Sequence, residues 1–222
     1  MKRIILLLLT MLLAIGSTAC AGSSVNTVGS NTKAGTSGST TSPASAESTG
    51  STVPDGAATE PSASGKTVLV VVFSATGTTL RVAEKIAAIE NADLYEIQAA
   101  IPYSSADLNW NDSNSRSTKE QNDKSARPEI GSERISLAGY TKIYVGFPIW
   151  WGEEPRIMDT FAESYDFDGI TLIPFCTSSS SGIGRSGKNL AENAKSGRWL
   201  DGKRLGGNAT DAELRSWIEG LQ

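Results

Sequence analysis

The sequence TVLVVVFSATGTT occupies residues 67–79 and joins an apolar run to a loop of small and hydroxylated residues. The apolar run, residues 67–73, is rich in β-branched side chains and shows no alternation of polar and apolar positions. This pattern is typical of a strand that is buried on both faces in a parallel sheet. After the loop, apolar residues recur at helical spacing at Leu80, Ala83, Ile86 and Ala87. The stretch therefore predicts a central strand, a loop and a helix.

Strand and helix patterns alternate from this point to the end of the chain. Further strands are predicted at residues 93–98, 143–147, 170–177 and 203–205. Helices are predicted at residues 155–165 and 187–195, and a last one follows Thr210 and Glu213, which have capping-box spacing. Strand, helix and strand repeated in this way require right-handed crossovers. We expect an α/β fold, a doubly wound three-layer sandwich with a five-stranded parallel sheet between its helices.

Composition excludes several classes of function. The chain of 222 residues contains no His and two Cys, so it lacks the residues for a Ser-His-Asp triad, a His-ligated zinc or a four-thiolate metal site. Its formal charge is -4, which provides no basic field for nucleic acid. We therefore expect neither a metal centre nor a nucleic-acid partner.

The N-terminal segment has the pattern of an export signal. Lys2 and Arg3 precede an apolar run at residues 4–15. This run is shorter than the ~20 residues that span a bilayer but suits the core of a signal peptide. Residues 1–19 are therefore expected to direct export and not to form part of the fold.

Residues 17–22 resemble the cleavage box of bacterial lipoproteins, in which small residues precede a cysteine that carries a diacylglycerol. The resemblance implies a lipid on Cys20 and a protein anchored to the outer face of the cytoplasmic membrane. Ser17 departs from that pattern, because the family usually has Leu there. The alternative is ordinary cleavage near Ala19 or Ala21, which would leave Cys20 unmodified.

A segment dominated by Ser, Thr, Gly and Ala separates the signal from the fold. Residues 20–65 contain too few large apolar side chains to offset the conformational entropy of an ordered chain, so a disordered tether is expected. The remaining residues, 66–222, suffice for one domain.

Three loops follow three of the predicted strands and should meet at the carboxyl edge of the sheet. The first is Ser74, Ala75, Thr76, Gly77, Thr78 and Thr79. At a helix N-terminus, its backbone N–H groups and hydroxyls could hold a phosphate, and Gly77 would allow close approach. The loop has no Lys, unlike the GxxxxGK[ST] loop that binds nucleoside triphosphates. Its alternative role is that of a helix cap.

The other two loops differ in character. The second is Pro148, Ile149, Trp150, Trp151 and Gly152, and one of its two tryptophans is expected to pack in the core. The third, residues 177–184, includes the candidate site residues Thr177, Ser178, Ser179 and Gly182. It offers small donors and a flexible backbone, and its alternative role is that of a linker.

Together the three loops resemble those of the flavodoxin family. Residues 74–79 are similar to the [ST]-x-T-G-x-T phosphate signature, and residues 146–152 with 155–156 resemble the flavin-flanking loop of longer flavodoxin-like quinone and flavin reductases. Residues 175–178 and 182–184 are similar to the second flavin loop of that group. The resemblance implies a sheet in the order 2-1-3-4-5 and FMN, with its phosphate on residues 74–79. The isoalloxazine would lie between residues 148–152 and 177–184.

Two departures favour an enzyme over a one-electron carrier. The third loop has no aromatic residue to cover one flavin face, and the charge of -4 is small beside the strongly acidic surface of such carriers. We expect chemistry at N5 of FMN, no catalytic side chain, and quinone-like or other small molecules, or a protein, as electron donor and acceptor. A one-electron carrier that docks to an anchored redox partner, and a flavin-free module, are the alternatives.

The long connection at residues 99–139 and the single cysteine of the predicted domain lead to two further expectations. Residues 99–139 are unusually long and polar for a connection, which fits either a lid or partner surface, or a solvated insertion with one short helix. Cys176 lies in an apolar strand end and is interpreted as a small buried apolar residue without a redox role.

Overall fold

A computed structural model describes residues 65–221 of the chain. The predictions for the signal peptide, Cys20 and the tether fall outside these residues. The strands are β1 (Val68–Phe73), β2 (Asp93–Ile97), β3 (Lys142–Pro148), β4 (Thr171–Thr177), β5 (Arg198–Trp199) and β6 (Lys203–Leu205). The helices are α1 (Thr78–Glu90), α2 (Arg116–Asn122), α3 (Arg156–Ser164), α4 (Ser186–Ala194) and α5 (Asp211–Glu219).

The strands form one parallel sheet in the order β2-β1-β3-β4-β5, with β6 also paired to β4. The predicted order 2-1-3-4-5 is confirmed. In register, Val70 of β1 lies opposite Leu94 of β2 and Tyr144 of β3. Because β1 is central and has a helix layer on each side, its side chains are buried on both faces, as its unbroken apolar run predicted.

The fifth position of the sheet consists of two short strands. β5 pairs with β4 at Thr171 and Leu172, and β6 pairs with it from Phe175 to Thr177. The sequence predicted only the second of these segments. Pairing is interrupted around Pro174, which has no backbone N–H to donate. A Cβ on Gly202 would lie 2.9 Å from the Pro174 carbonyl oxygen, so the chain between the two strands approaches β4 closely.

Side chains of the central strands alternate between two apolar layers. Leu69, Val71 and Phe73 face the layer that includes α3 residues Ile157 and Phe161. Val70 and Val72 face the opposite layer, which α1 and α5 cover. This three-layer arrangement leaves the carboxyl ends of the strands as the open edge where the loops converge.

Helix boundaries agree with the sequence to within a residue or two. α3 begins at Arg156 with Pro155 as its N-cap, one position later than predicted, and Tyr165 follows its end. The predicted capping box of α5 is present: Glu213 N–H donates to Thr210 Oγ1 at 3.3 Å, and Thr210 N–H donates to Glu213 Oε2 at 2.7 Å. None of the helices in residues 65–221 combines the length and apolar character needed to cross a bilayer.

The long connection 99–139 contains α2 and returns along the edge of β2. Ala100 N–H donates to Glu129 O at 2.9 Å, and Gly131 N–H donates to Gln98 O at 2.8 Å. A Cβ on Gly131 would lie 2.7 Å from the Ala100 Cα, so this position requires glycine. The connection, called the insertion below, is thus closed near its two ends by backbone hydrogen bonds just beyond β2.

Candidate functional site

The three predicted loops enclose one cleft of about 790 Å³ at the carboxyl ends of β1, β3 and β4. The residues that line it are Ser74, Ala75, Thr76, Thr78, Thr79, Leu108, Trp110, Ser117, Pro148, Ile149, Trp150, Trp151, Thr177, Ser178, Ser179 and Gly207. Among the described residues, none of those that line the cleft carries a charged side chain. A cleft of this size lies within the range of small-molecule and cofactor sites.

Most of the predicted site residues therefore share one cleft, and three glycines do not line it. Gly77 lies within the first loop between two lining threonines, and Gly152 lies on an exposed turn of the second loop. Gly182 is exposed in the third loop, and its immediate neighbours do not line the cleft either.

Sequence reasoning missed four lining residues. Leu108, Trp110 and Ser117 come from the insertion, and Gly207 comes from the loop between β6 and α5. Trp110 is a large aromatic residue within the polar stretch 99–139, and it was the available sign that the insertion contributes to the site. Gly207 had none, because its role depends on a contact distant in sequence: a Cβ there would lie 2.6 Å from Thr78 Cγ2.

The first loop ends in an open helix N-terminus. Gly77 is the N-cap of α1 at φ 77°, a left-handed conformation that glycine adopts without steric cost. No side chain caps this helix, and its first turn contains no acidic residue. The unpaired N–H groups and the helix dipole are therefore available to an anion from the cleft.

A buried hydrogen bond connects the first loop to the third. Thr79 Oγ1 and Thr177 Oγ1 lie 2.8 Å apart, and both side chains are almost fully buried. Thr79 lies in the first turn of α1 and Thr177 ends β4, so the bond sets the spacing between the two walls of the cleft.

The second loop closes as a tight two-residue hairpin. Trp150 and Glu153 exchange backbone hydrogen bonds of 2.9 and 3.1 Å. Trp151 and Gly152 between them have φ values of 49° and 85°, as a type I′ turn requires. Trp150 packs edge-on against Phe73 and Tyr103, with ring centroids 5.7 and 5.2 Å away, whereas Trp151 is 44% exposed. One tryptophan thus packs against the core, as predicted.

The insertion holds this hairpin in place. Gln121 of α2 is buried, and its Nε2 donates to Trp150 O at 2.9 Å and to Glu154 O at 3.1 Å. Arg156 Nη2 in turn donates to Gln121 O at 3.3 Å and to Glu153 Oε2 at 2.8 Å. Trp150 and Trp151 of the hairpin form the aromatic wall of the cleft. The position of this wall therefore depends on contacts from outside its own loop.

A buried group of charges lies behind the hairpin. Glu154 is fully buried, and Arg156 Nη1 lies 3.7 Å from it and 3.2 Å from Asp159 Oδ2. Burial raises the pKa of both Glu154 and Asp159 above the ordinary values. Asn189 and Asn193 of α4 donate to these two carboxyls. In sequence, Glu154 directly precedes the helix predicted at residues 155–165, a position that gave no sign of its burial.

The third loop is held by a guanidinium group. Arg204 Nη2 donates to the carbonyl oxygens of Ser178 and Ser179 at 2.9 Å each. A Cβ on Gly184 would lie 3.3 Å from Gly152 O, so the second and third loops approach each other.

Cys176 lies just behind the third loop and is fully buried. Burial raises the pKa of its thiol to about 12, which disfavours the reactive thiolate. Its interpretation as a small buried apolar residue is confirmed. Within residues 65–221 no group of three or more His, Cys, Asp or Glu is arranged to hold a metal ion.

The sheet is parallel and doubly wound, and its carboxyl edge carries a phosphate-type loop, residues 74–79, and an aromatic loop, residues 148–152. This combination defines a flavodoxin-like α/β protein. A family model described as Flavodoxin matches residues 67–221. The chain belongs to the flavodoxin family.

Solved structures agree with this assignment. A proposed flavoprotein from Bacteroides uniformis ATCC 8492 is 47% identical with a TM-score of 0.66, over 68% of this chain and 97% of that one. Another, from Bacteroides eggerthii DSM 20697, is 42% identical with a TM-score of 0.65, over 69% and 96%. A flavoprotein in complex with FMN from Lactobacillus acidophilus NCFM shares the fold at 20% identity and a TM-score of 0.51, over 69% and 99%. No curated protein matches the chain.

Proposed function

We propose that this chain is an FMN-dependent oxidoreductase that acts on quinone-like or other small acceptors and is tethered to a membrane through Cys20. The observation that carries the proposal is the cleft, in which an open helix N-terminus and an aromatic hairpin face one volume. Family membership and the FMN complex of the Lactobacillus acidophilus flavoprotein support FMN as the cofactor.

The first loop fits the phosphate of FMN. The N-terminus of α1 has no side-chain cap, and hydroxyls of Ser74, Thr76 and Thr78 surround it on the cleft side. Arg81 lies one turn further on, with its Nη2 3.4 Å from Thr78 Oγ1, and adds positive charge. Neutral donors, a helix dipole and a nearby guanidinium together suit a phosphate dianion.

The second and third loops fit the isoalloxazine ring. Trp150 and Trp151 provide apolar surface, and the third loop provides backbone and hydroxyl groups for the polar edge of the ring. When bound, FMN supplies the exchange of electrons with donor and acceptor. The protein binds the cofactor, excludes water at the aromatic wall and fixes the loops through Gln121 and Arg204.

The character of the third loop favours an enzyme. Residues 177–184 contain no aromatic side chain, so nothing in this loop would cover the second face of the ring. A planar acceptor could approach that face directly. The modest charge of -4 gives little of the electrostatic steering that acidic carriers use to find basic partners.

A one-electron carrier is the second candidate. The observation in its favour is Gly152, which has φ 85° at the tip of the hairpin and could reorient its peptide beside a flavin. Repeated turnover separates the two functions: an enzyme reoxidises through many cycles with a quinone such as menadione. A carrier shows no turnover on any quinone tested and transfers electrons only to a protein partner.

A pair of variants at Gly77 tests the phosphate site. Gly77→Asp places a carboxylate at the helix N-terminus, where it suits the dipole but repels a phosphate, whereas Gly77→Asn has the same shape and no charge. Both residues tolerate the left-handed backbone at this position. We expect FMN affinity to fall at least about tenfold further in the Asp variant than in the Asn variant.

Riboflavin, which lacks the phosphate, is the control ligand and should bind the two Gly77 variants alike. Affinities are measured by flavin fluorescence quenching on protein freed of cofactor. Equal FMN affinity of the Asp and Asn variants would place the phosphate elsewhere. A wild-type protein that binds no FMN would leave the flavin-free module as the function.

The tether is tested through Cys20. The apolar run at residues 4–15 and the small residues before Cys20 support export and lipidation, which would place the domain on the outer face of the cytoplasmic membrane. We expect Cys20→Ser to move the protein from the membrane fraction to the soluble fraction. An unchanged distribution would reject lipid anchoring at this residue.

A further inference from the structure

Trp110 is an unusually exposed tryptophan for a folded domain. Its side chain is 73% exposed, yet it lines the same cleft as the phosphate-type loop. Trp151 on the hairpin is also exposed and lines the cleft. Large aromatic groups left in water at a concave site indicate a surface that binds an apolar ligand.

The segment that carries Trp110 is held by hydrogen bonds on its N-terminal side. Leu108 N–H donates to Ser104 O at 3.2 Å, and both the N–H and the hydroxyl of Ser117 donate to Asp107 O. Ser104 and Asp107 are further joined by a hydrogen bond of 2.9 Å from the Ser104 N–H. Leu108 and Trp110 are thus presented by an ordered turn, which lowers the entropy cost of binding.

A second aromatic contact fixes the insertion against the hairpin. Tyr103 packs against both Phe73 and Trp150, and its hydroxyl donates to Glu120 at 2.6 Å. The Arg116 guanidinium lies 4.0 Å above the Tyr103 ring. The base of the insertion and the aromatic wall of the cleft therefore form one packed unit, and Trp110 extends this wall beyond the predicted loops.

The lining of the cleft limits the charge of its ligand. The described lining offers hydroxyl, backbone and apolar groups but no cationic side chain. Of the guanidinium groups beside it, Arg81 lies at the helix N-terminus assigned above to a phosphate, and Arg204 donates to the Ser178 and Ser179 carbonyls. A second anionic ligand, such as the pyrophosphate of a dinucleotide, would lose hydration without gaining an ion pair. An uncharged planar molecule loses little on entering such a site.

We propose that Leu108 and Trp110 form the acceptor subsite, and that the acceptor is an uncharged planar aromatic molecule that stacks on the Trp110 indole. This inference rests on the proposed function and names the residues and the charge that select its acceptor. The insertion is then the substrate-binding element of the protein. The loops at residues 74–79, 148–152 and 177–184 hold the cofactor.

Two anthraquinones that differ in charge test the proposal. The neutral probe is 2-hydroxymethylanthraquinone and the anionic probe is anthraquinone-2-sulfonate, and their binding to the oxidised holoprotein is measured by calorimetry. We expect the anionic probe to bind wild type at least about tenfold more weakly than the neutral probe. We expect Trp110→Ala to weaken the neutral probe about tenfold, and Trp110→Phe to keep most of the affinity.

Ile101→Ala is the matched control variant. Ile101 is 72% exposed on the same insertion but does not line the cleft, so its removal should leave probe binding unchanged. FMN affinity, measured separately by fluorescence quenching, should stay within about twofold of wild type in all three variants.

Each measurement answers a separate question. Neutral-probe affinity that is equal in wild type and Trp110→Ala overturns the subsite, and so does a wild type that binds no neutral probe. Equal affinity of wild type for the two probes overturns the selection for an uncharged acceptor. Failure of the proposed function shows instead in the wild type itself, as a lack of FMN binding in the titration or a lack of turnover on menadione.

Discussion

At the scale of single residues, one hydroxyl pair determines how two loops of the cleft are joined. Thr79 and Thr177 meet at 2.8 Å in an almost water-free position. A buried hydroxyl that loses its partner retains the cost of desolvation. The same two side chains line the cleft, so their bond affects both stability and the shape of the site.

Thr79→Val removes the hydroxyl at constant shape and leaves that of Thr177 buried without this partner. We expect the free energy of unfolding to fall by about 1–3 kcal/mol in urea denaturation. Thr79→Ser keeps the hydroxyl and should cost less. Because the two residues share one bond, the double variant Thr79→Val/Thr177→Val should lose clearly less than the sum of the single variants. Additive losses would show that the bond contributes nothing.

At the scale of elements, α2 supports the hairpin of the second loop. Gln121 lies on this short helix and donates to two backbone carbonyls, Trp150 O and Glu154 O, that flank the turn. The helix begins with its own N-cap, in which Thr118 N–H donates to the Ser115 side chain. An element of the insertion therefore determines where the aromatic wall of the cleft lies.

Gln121→Met keeps the approximate size of the side chain and removes its hydrogen bonds. We expect a loss of about 1–3 kcal/mol in the free energy of unfolding, together with weaker FMN binding in fluorescence quenching, because the hairpin loses its donor. Asn122→Ala, an exposed neighbour on the same helix, is the control and should change neither quantity by much. Equal effects of the two substitutions would mean that the hairpin holds its position without α2.

The elements also show what the sequence could and could not predict. β1, the loop after it and α1 were predictable because each shows a local pattern. β1 is an unbroken apolar run, the loop contains a glycine among hydroxylated residues, and α1 has apolar residues at helical spacing. β5 was missed because two residues are too few to show a period. The part of Gly207 in the cleft was not predictable, since it depends on a contact with Thr78, which is far away in sequence.

At the scale of the whole molecule, buried charge makes stability depend on pH. Glu154, Arg156 and Asp159 lie between α3, α4 and the hairpin, and burial raises the pKa of both carboxyls. A carboxyl with a higher pKa in the folded state binds its proton more tightly there. Its contribution to stability therefore declines as the pH rises from the ordinary value toward the raised one.

Glu154→Gln should remove this decline. We expect the free energy of unfolding of the variant to improve relative to wild type as the pH rises above the ordinary glutamate value of 4.5, measured by urea denaturation at several pH values. Glu163→Gln is the control. The hydrogen bond from Arg127 lowers the pKa of Glu163, so its difference from wild type should be nearly constant above 4.5. A constant difference for Glu154→Gln as well would contradict the proposed titration.

The split outer strand has a consequence for how copies of the molecule behave when crowded. β5 has two residues and β6 has three, with Pro174 opposite the break, so this edge presents no long row of unpaired backbone groups. The insertion bonds to the chain just beyond β2 at the opposite edge. The split edge is therefore a poor template for strand addition by a neighbour. Aggregation through β-sheet extension at this edge is thus disfavoured, even when copies of the molecule are crowded together.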